Sequence, residues 1–287
     1  MKIGFADFYL DNWHCNEYPG FLRDAISRLG LPHEVTHAYG MRTAPSGVTN
    51  AEWCRARRIQ ECESMEELAD SVDAILVIAA DDARTHEEVS AVPLSSGKPV
   101  FVDKTFAYTT AEAERMFALA ERSGTPVFSS SAQRYCQDVI DYKASHPEKP
   151  LFVSTVGPHD LDRYAVHQLE VIEALMGPGI RRLKAFSAGD AVTQLILEWG
   201  GGRWASFMQT PQPWAEFNFM VTEDGCGMNG ARLRSDEGNF YFNLMKAILG
   251  FFETGEPPVP HEETMEIVRV IEVTREARKH PDVWYEL

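Results

Sequence analysis

The chain has 287 residues, and 27 Lys and Arg against 43 Asp and Glu leave a formal net charge of −16. So acidic a surface excludes nucleic-acid binding through a general electrostatic footprint, while leaving room for a local cationic pocket. The 44% hydrophobic and 24% charged content is that of an ordinary globular chain, long enough for one large or two ordinary domains.

Residues 2–8 read as a first buried strand. The turn after it holds Asp11, Asn12, Trp13, His14, Asn16 and Tyr18, a density of polar and aromatic groups that suits a ligand contact. Strand-end loops carry function more often than their share. A capped loop with Trp13 as its lid accounts for the same residues. Asp11 and His14 offer two metal ligands, but no second pair has matching spacing, and no metal site is assigned. Residues 19–29 have helical spacing and stop at Gly30. A second strand follows at 33–39. Thr49 or Asn50 can cap a helix carrying Trp53, Ala56 and Ile59, and Arg55, Arg57 and Arg58 read as a solvated face. Ser64 and Glu67 form a capping box that opens a short helix.

Residues 74–80 are an apolar, β-branched run, the signature of a strand buried on both faces. Asp82 can cap a short helix over 84–95, and Gly97 ends it. Residues 99–102 are a second buried run, closed by Asp103-Lys104-Thr105. Strand, helix, strand is a right-handed crossover in a parallel sheet, and ligands bind outside the carboxyl ends of such strands. A capped helix at 111–123, a strand at 126–129, the segment Ser130 to Tyr135 and a helix at 138–145 complete a doubly wound parallel α/β domain over 1–146. The stretch 147–150 is the expected linker.

A second, α+β domain is expected over 151–287. A strand at 152–156 leads to a helix at 163–176, on which His167 and Glu170, three apart, share a face. His159, Asp160 and Asp162 lie just upstream. From Arg181 the period falls to two, predicting consecutive antiparallel strands at 184–187, 192–199, 203–210, 216–222 and 227–233. Their turns fall at Gly189-Asp190, Gly200 to Gly202, Pro211 to Pro213 and Glu223 to Gly225. Gly200 to Gly202 is a hairpin and not a phosphate loop, because no helix and no Lys-Ser/Thr follows. Helices at 239–253 and 262–279 close the chain. The five cysteines are odd in number and scattered, which suggests free thiols in a reducing cytosol. The first residues enter a strand without a signal pattern, and no apolar run spans a bilayer. The expected location is cytoplasmic.

The pattern of strand, turn, His86, helix, Gly97-Lys98-Pro99-Val100, strand and acid-Lys resembles the Gfo/Idh/MocA family of sugar and inositol oxidoreductases. That family usually has Glu-Lys-Pro where this chain has Asp103-Lys104-Thr105. His167 and Glu170 resemble its Gly-x-His-x-x-Asp motif, with Ala165 for the glycine and Glu170 for the aspartate. The first turn departs from the family, since the Gly-x-Gly-x-x-Gly fingerprint is absent and Gly4 is the only nearby glycine. The acid expected at the end of the second strand is replaced by His37 or Tyr39.

The resemblance implies a Rossmann-like domain and an open-sheet domain, with NAD or NADP as cofactor. It places the cofactor against Gly4, Ala6, Phe8, Ala80, Asp81, His86, Asp103 and Lys104. It makes Lys104, His167 and Glu170 catalytic, and His14, Arg134, Tyr164 and His159 the substrate contacts, with pairing to an acid at the domain interface an equal reading of Arg134. Oxidising a secondary alcohol needs a base near neutrality, which a histidine supplies, and a lysine favours the alkoxide. The partners implied are a sugar-like small molecule and further copies of the chain, as a homodimer or homotetramer. Two other classes fit the same residues: a lyase, isomerase or hydrolase that has dropped the dinucleotide, with or without a metal, and a non-catalytic small-molecule binder.

Overall fold

In the computed structural model all residues are described except 80–81, 188–191, 214, 223–229 and 235–239. Ala80, Asp81, Cys226 and the turns expected at 189–190 and 223–225 lie outside the described residues. The chain divides into two compact units, one of Met1–Ser130 with Tyr241–His261, the other of Ser131–Phe240 with Glu262–Leu287.

The first unit runs β1 (Lys2–Asp7), α1 (Trp13–Leu29), β2 (Glu34–Gly40), α2 (Asn50–Arg57), β3 (Gln60–Glu61), α3 (Met65–Ser71), β4 (Ala74–Val77), α4 (His86–Ser90), β5 (Val100–Val102), α5 (Thr110–Ser123) and β6 (Val127–Ser129). The strands form one parallel sheet in the order β3-β2-β1-β4-β5-β6. The order reverses between β1 and β4, the switch point beside which ligands sit in such sheets. Ala74, Ile75, Leu76 and Val77 are fully buried, as the β-branched run required.

Two local differences matter. Helix α1 starts six residues before Pro19, because Asn12 caps it by accepting from the Cys15 N–H at 3.0 Å. Proline favours a first turn, but here Pro19 is buried inside the helix. The dense loop expected after β1 is therefore largely the first two turns of α1. The helix expected over 84–95 is broken into a 3-10 turn, α4 and a second 3-10 turn at Pro93–Ser95, since Pro93 has no N–H to continue the ladder.

The second unit contains α6 (Gln137–Ser145), β7 (Phe152–Gly157), α7 (Leu161–Met176), β8 (Ile180–Ser187), β9 (Thr193–Trp199), β10 (Trp204–Gln209), β11 (Asn218–Thr222) and β12 (Gly230–Arg234). After α8 (Phe240–Thr254) it resumes with α9 (His261–Ala277) and β13 (Trp284–Glu286). Its sheet runs β12-β11-β7-β10-β9-β8-β13. The strands are not all antiparallel neighbours in sequence order, as the pattern predicted: β7 lies between β11 and β10 and is parallel to β10. Alternating burial shows that a strand has one buried face, and leaves open which strand it pairs with.

The division falls at Ser130/Ser131 and not at the expected linker of 147–150. Most of α8 returns to the first unit. There Phe251 packs edge-on to Phe128 with centroids 4.8 Å apart, and Tyr241 stacks on Phe21 at 4.7 Å. A helix after a run of β strands gives no signal in its own sequence of the domain it joins.

Candidate functional site

In the first unit the polar residues gather at the carboxyl edge of the sheet. Asp103 follows β5 directly and is fully buried, its N–H donating to Val77 O at 2.8 Å. Its Oδ2 pairs with His14 Nδ1, and Tyr18 Oη lies 3.5 Å from Oδ1. The His14 ring stacks on Tyr18 with centroids 4.8 Å apart and meets Trp13 edge-on at 5.1 Å. Burial alone would raise the Asp103 carboxyl, but His14 and Lys104 beside it hold it below its ordinary value. Lys104 itself is only 7% exposed.

The turn between β1 and α1 is closed by its own side chains. Asp7 is buried, with Oδ2 accepting from Asn12 Nδ2 at 2.8 Å and Cys15 Sγ at 3.0 Å, and Oδ1 from the Tyr9 N–H at 3.2 Å. Burial pushes its carboxyl up to about 6 against these hydrogen bonds. Asp11 accepts from Ser46 Oγ at 2.6 Å and Asn16 Nδ2 at 3.0 Å. Gly4 is a packing glycine within β1, where an added Cβ would lie 2.8 Å from Leu68 Cδ1. Ala6 is fully buried, and Phe8 is half-buried with Arg42 over its ring at 5.0 Å.

His86 is fully buried, with Nε2 2.8 Å from Ala79 O and Nδ1 3.1 Å from Phe106 O. Burial lowers its pKa. It laces the segment after β4 to the segment after β5. Ala80 and Asp81 are outside the described residues. Among the described residues no group of three His, Cys, Asp or Glu is placed to hold a metal ion.

In the second unit α7 carries the expected pair, with Asp160 capping its start through Arg163 N. His167 Nδ1 lies 2.6 Å from Ser131 Oγ. Glu170 accepts the Ser131 N–H at 3.1 Å and pairs with Arg134 Nε. Arg134 is buried, and its Nη2 also lies 2.6 Å from Glu263 Oε2. Of the two readings of this guanidinium, substrate contact or partner of an acid, the pairing is the one seen: it is held between two carboxylates, which raise its pKa against burial. His159 stands by Tyr164 at 4.2 Å, and Tyr164 meets His167 edge-on at 5.2 Å. Lys104 and His167 belong to different units.

Sequence reasoning missed Ser131 and Glu263. The serine run at the end of β6 was a signal for the first. Nothing in the sequence marks Glu263, which reaches Arg134 from 129 residues further along the chain.

Residues 23–131 match the model of the oxidoreductase family with an NAD-binding Rossmann fold, Gfo/Idh/MocA. The matched segment, from inside α1 through β6, is of the Gfo/Idh/MocA type. Three solved structures share the fold over the whole chain. A probable dehydrogenase from Thermotoga maritima is 13% identical, with TM-score 0.81, covering 100% of this chain and 98% of its own. The myo-inositol 2-dehydrogenase from Lactobacillus plantarum is 10% identical, with TM-score 0.79 and coverage of 100% and 99%. An oxidoreductase from Agrobacterium radiobacter, solved with NAD+, L-tartaric acid and magnesium, is 10% identical, with TM-score 0.78 and coverage of 100% and 98%. No curated protein matches the chain.

The family match begins inside α1 and leaves out the β1–α1 turn. In a dinucleotide-binding domain that turn places glycines under the pyrophosphate and helix N–H groups toward it. Here the turn has no glycine, but both oxygens of Asp7 are taken by donors within it. What the chain offers a dinucleotide here is the Trp13 and His14 N–H groups, since Asn12 takes that of Cys15, and the cation Arg42 two residues beyond β2, without the glycine cradle. Among the described residues no helix is long and apolar enough to cross a membrane.

Proposed function

We propose that the protein is an NAD(P)-linked oxidoreductase acting on a secondary hydroxyl of a sugar- or polyol-like molecule. The observation that carries this reading is Lys104, a nearly buried lysine at the carboxyl end of β5, within the segment matching an NAD-binding oxidoreductase family. A bound dinucleotide supplies the hydride acceptor. The chain's own residues do the rest. The Lys104 ammonium stabilises the alkoxide as it forms. His167, its Nδ1 engaged by Ser131, takes the hydroxyl proton at Nε2. Glu170 acts as a positioning residue, because it holds Ser131 and Arg134. Tyr164 and His159 line the histidine's side and offer contacts to further hydroxyls.

The reading includes self-association as a homodimer or homotetramer, for which the sheet of the second unit offers an exposed face at Met220 (59% exposed). It also includes a cytoplasmic location, in keeping with the free thiols Cys15, Cys54, Cys62 and Cys136.

One observation favours a second reading, in which the chain has given up the dinucleotide for non-redox chemistry: the glycine-free turn closed on Asp7. Titration calorimetry with NAD(H) and NADP(H), followed by a polyol screen, separates the two. Micromolar binding with turnover supports the oxidoreductase. Absence of heat at millimolar ligand removes it. Light scattering of the purified chain reads the oligomeric state.

A further inference from the structure

The two buried-edge histidines of the first unit differ in one respect that decides their chemistry. His86 has a backbone carbonyl against each ring nitrogen and no exposure. His14 has a carboxylate against Nδ1 alone, and its side chain keeps 13% exposure. Among the described residues nothing is bonded to His14 Nε2. Both His86 nitrogens are closed off by backbone, and the neutral ring can donate to only one of its two carbonyls. A histidine anchored at Nδ1 by a buried carboxylate, with Nε2 left open, has the arrangement that general-base histidines use.

The surroundings fix that arrangement. Asn12 caps α1 and so places His14 in its first turn. Asp103 is pinned by its backbone bond to Val77 O and cannot follow a ring that moves. Tyr18 stacks against one face of the imidazole and Trp13, half exposed, stands at its edge. Asp103 precedes Lys104 in the chain, so the same strand end carries the carboxylate that holds His14 and the ammonium assigned to the reacting hydroxyl.

We infer that His14 is a second proton-transfer residue, belonging to this unit, oriented by Asp103 and presenting Nε2 to a substrate hydroxyl other than the one His167 deprotonates. The substrate O–H bond breaks, its proton forms the Nε2–H bond, and the electron pair stays on oxygen. Asp103 stabilises the imidazolium, which afterwards returns the proton to product or to water. The substrate class rests on the function proposed above. The poise of the imidazole does not.

The first test needs no substrate. Nitrogen-15 NMR of the imidazoles, with the His14 signals assigned by loss in His14→Gln, reads the proton's position near neutral pH. A pyridine-type Nε2 with a protonated Nδ1 is expected; a protonated Nε2 overturns the base role. The second test is carbethoxylation by diethyl pyrocarbonate, followed residue by residue by mass spectrometry. His14 is expected to react at least about tenfold faster than His86. In Asp103→Asn, checked for folding by circular dichroism, that rate is expected to fall by a similar factor. Equal rates for His14 and His86 in the wild type sink the proposal, whatever the variant does. Failure of dinucleotide binding with the expected imidazole state removes the hydride reading and leaves His14 standing. The opposite pattern removes His14 alone.

Discussion

Replacing Asp7 by Asn isolates the pH dependence that burial gives this carboxyl. In the folded chain the Asp7 pKa is raised from 3.8 to about 6. A raised carboxyl binds its proton more tightly when folded, so its contribution is most favourable below pH 3.8 and is lost as pH rises through 6. The full difference, about 2.2 pH units, corresponds to roughly 3 kcal/mol. Of this, roughly 1.4 kcal/mol falls between about pH 5 and about pH 8. Asn cannot ionise, so the stability gap between variant and wild type should move in the variant's favour by that amount across the interval. The absolute gap starts lower, because one amide hydrogen of Asn faces the Tyr9 N–H and goes unsatisfied, which costs about 1–3 kcal/mol. Urea unfolding at several pH values, read by fluorescence of Trp13 and Trp53, gives both quantities. A gap that stays constant with pH would falsify the claim that Asp7 titrates in the buried turn.

Three other substitutions have defined outcomes. Arg134→Met leaves the buried Glu170 and the part-buried Glu263 without this cation and should cost about 3 kcal/mol or more in urea unfolding; a loss under about 1 kcal/mol refutes the ion-paired triad. Gly4→Ala drives a Cβ to 2.8 Å from Leu68 Cδ1 and should lower stability by about 1–3 kcal/mol, while dinucleotide affinity measured by calorimetry stays unchanged; a selective loss of affinity would make Gly4 a cofactor contact instead. Lys104→Ala should lower kcat by about 100-fold or more on any polyol the screen identifies, and an unaltered kcat removes Lys104 from the reacting centre.

Most elements of the first parallel sheet and its helices were legible in the residues alone, the short strand β3, the start of α1 and the break over 84–95 excepted. An apolar run such as Ala74 to Val77 has one favourable environment, a strand covered on both faces, and Gly30 and Gly124 stop helices at a positive φ that glycine adopts without strain. Helix signals are local, and so Ser64 marks its helix correctly from three residues of chain, while the cap expected at Thr110 falls one residue earlier, at Thr109. The acid-Lys pair at a strand end and the histidine on α7 were legible for the same reason, since each motif lies within one crossover or one helix.

The long-range pairings came from the folded chain alone. It placed β7 between β11 and β10, returned α8 to the first unit, and moved the boundary to Ser130/Ser131. It gave Glu170 to Arg134 and Ser131, and His167 to Ser131, where helix spacing alone had offered them to each other. It joined His14 to Asp103 across 89 residues and turned Asp7 inward. Such contacts depend on which surfaces meet when apolar faces are buried. That burial is non-directional and leaves no periodic trace in the residues it brings together.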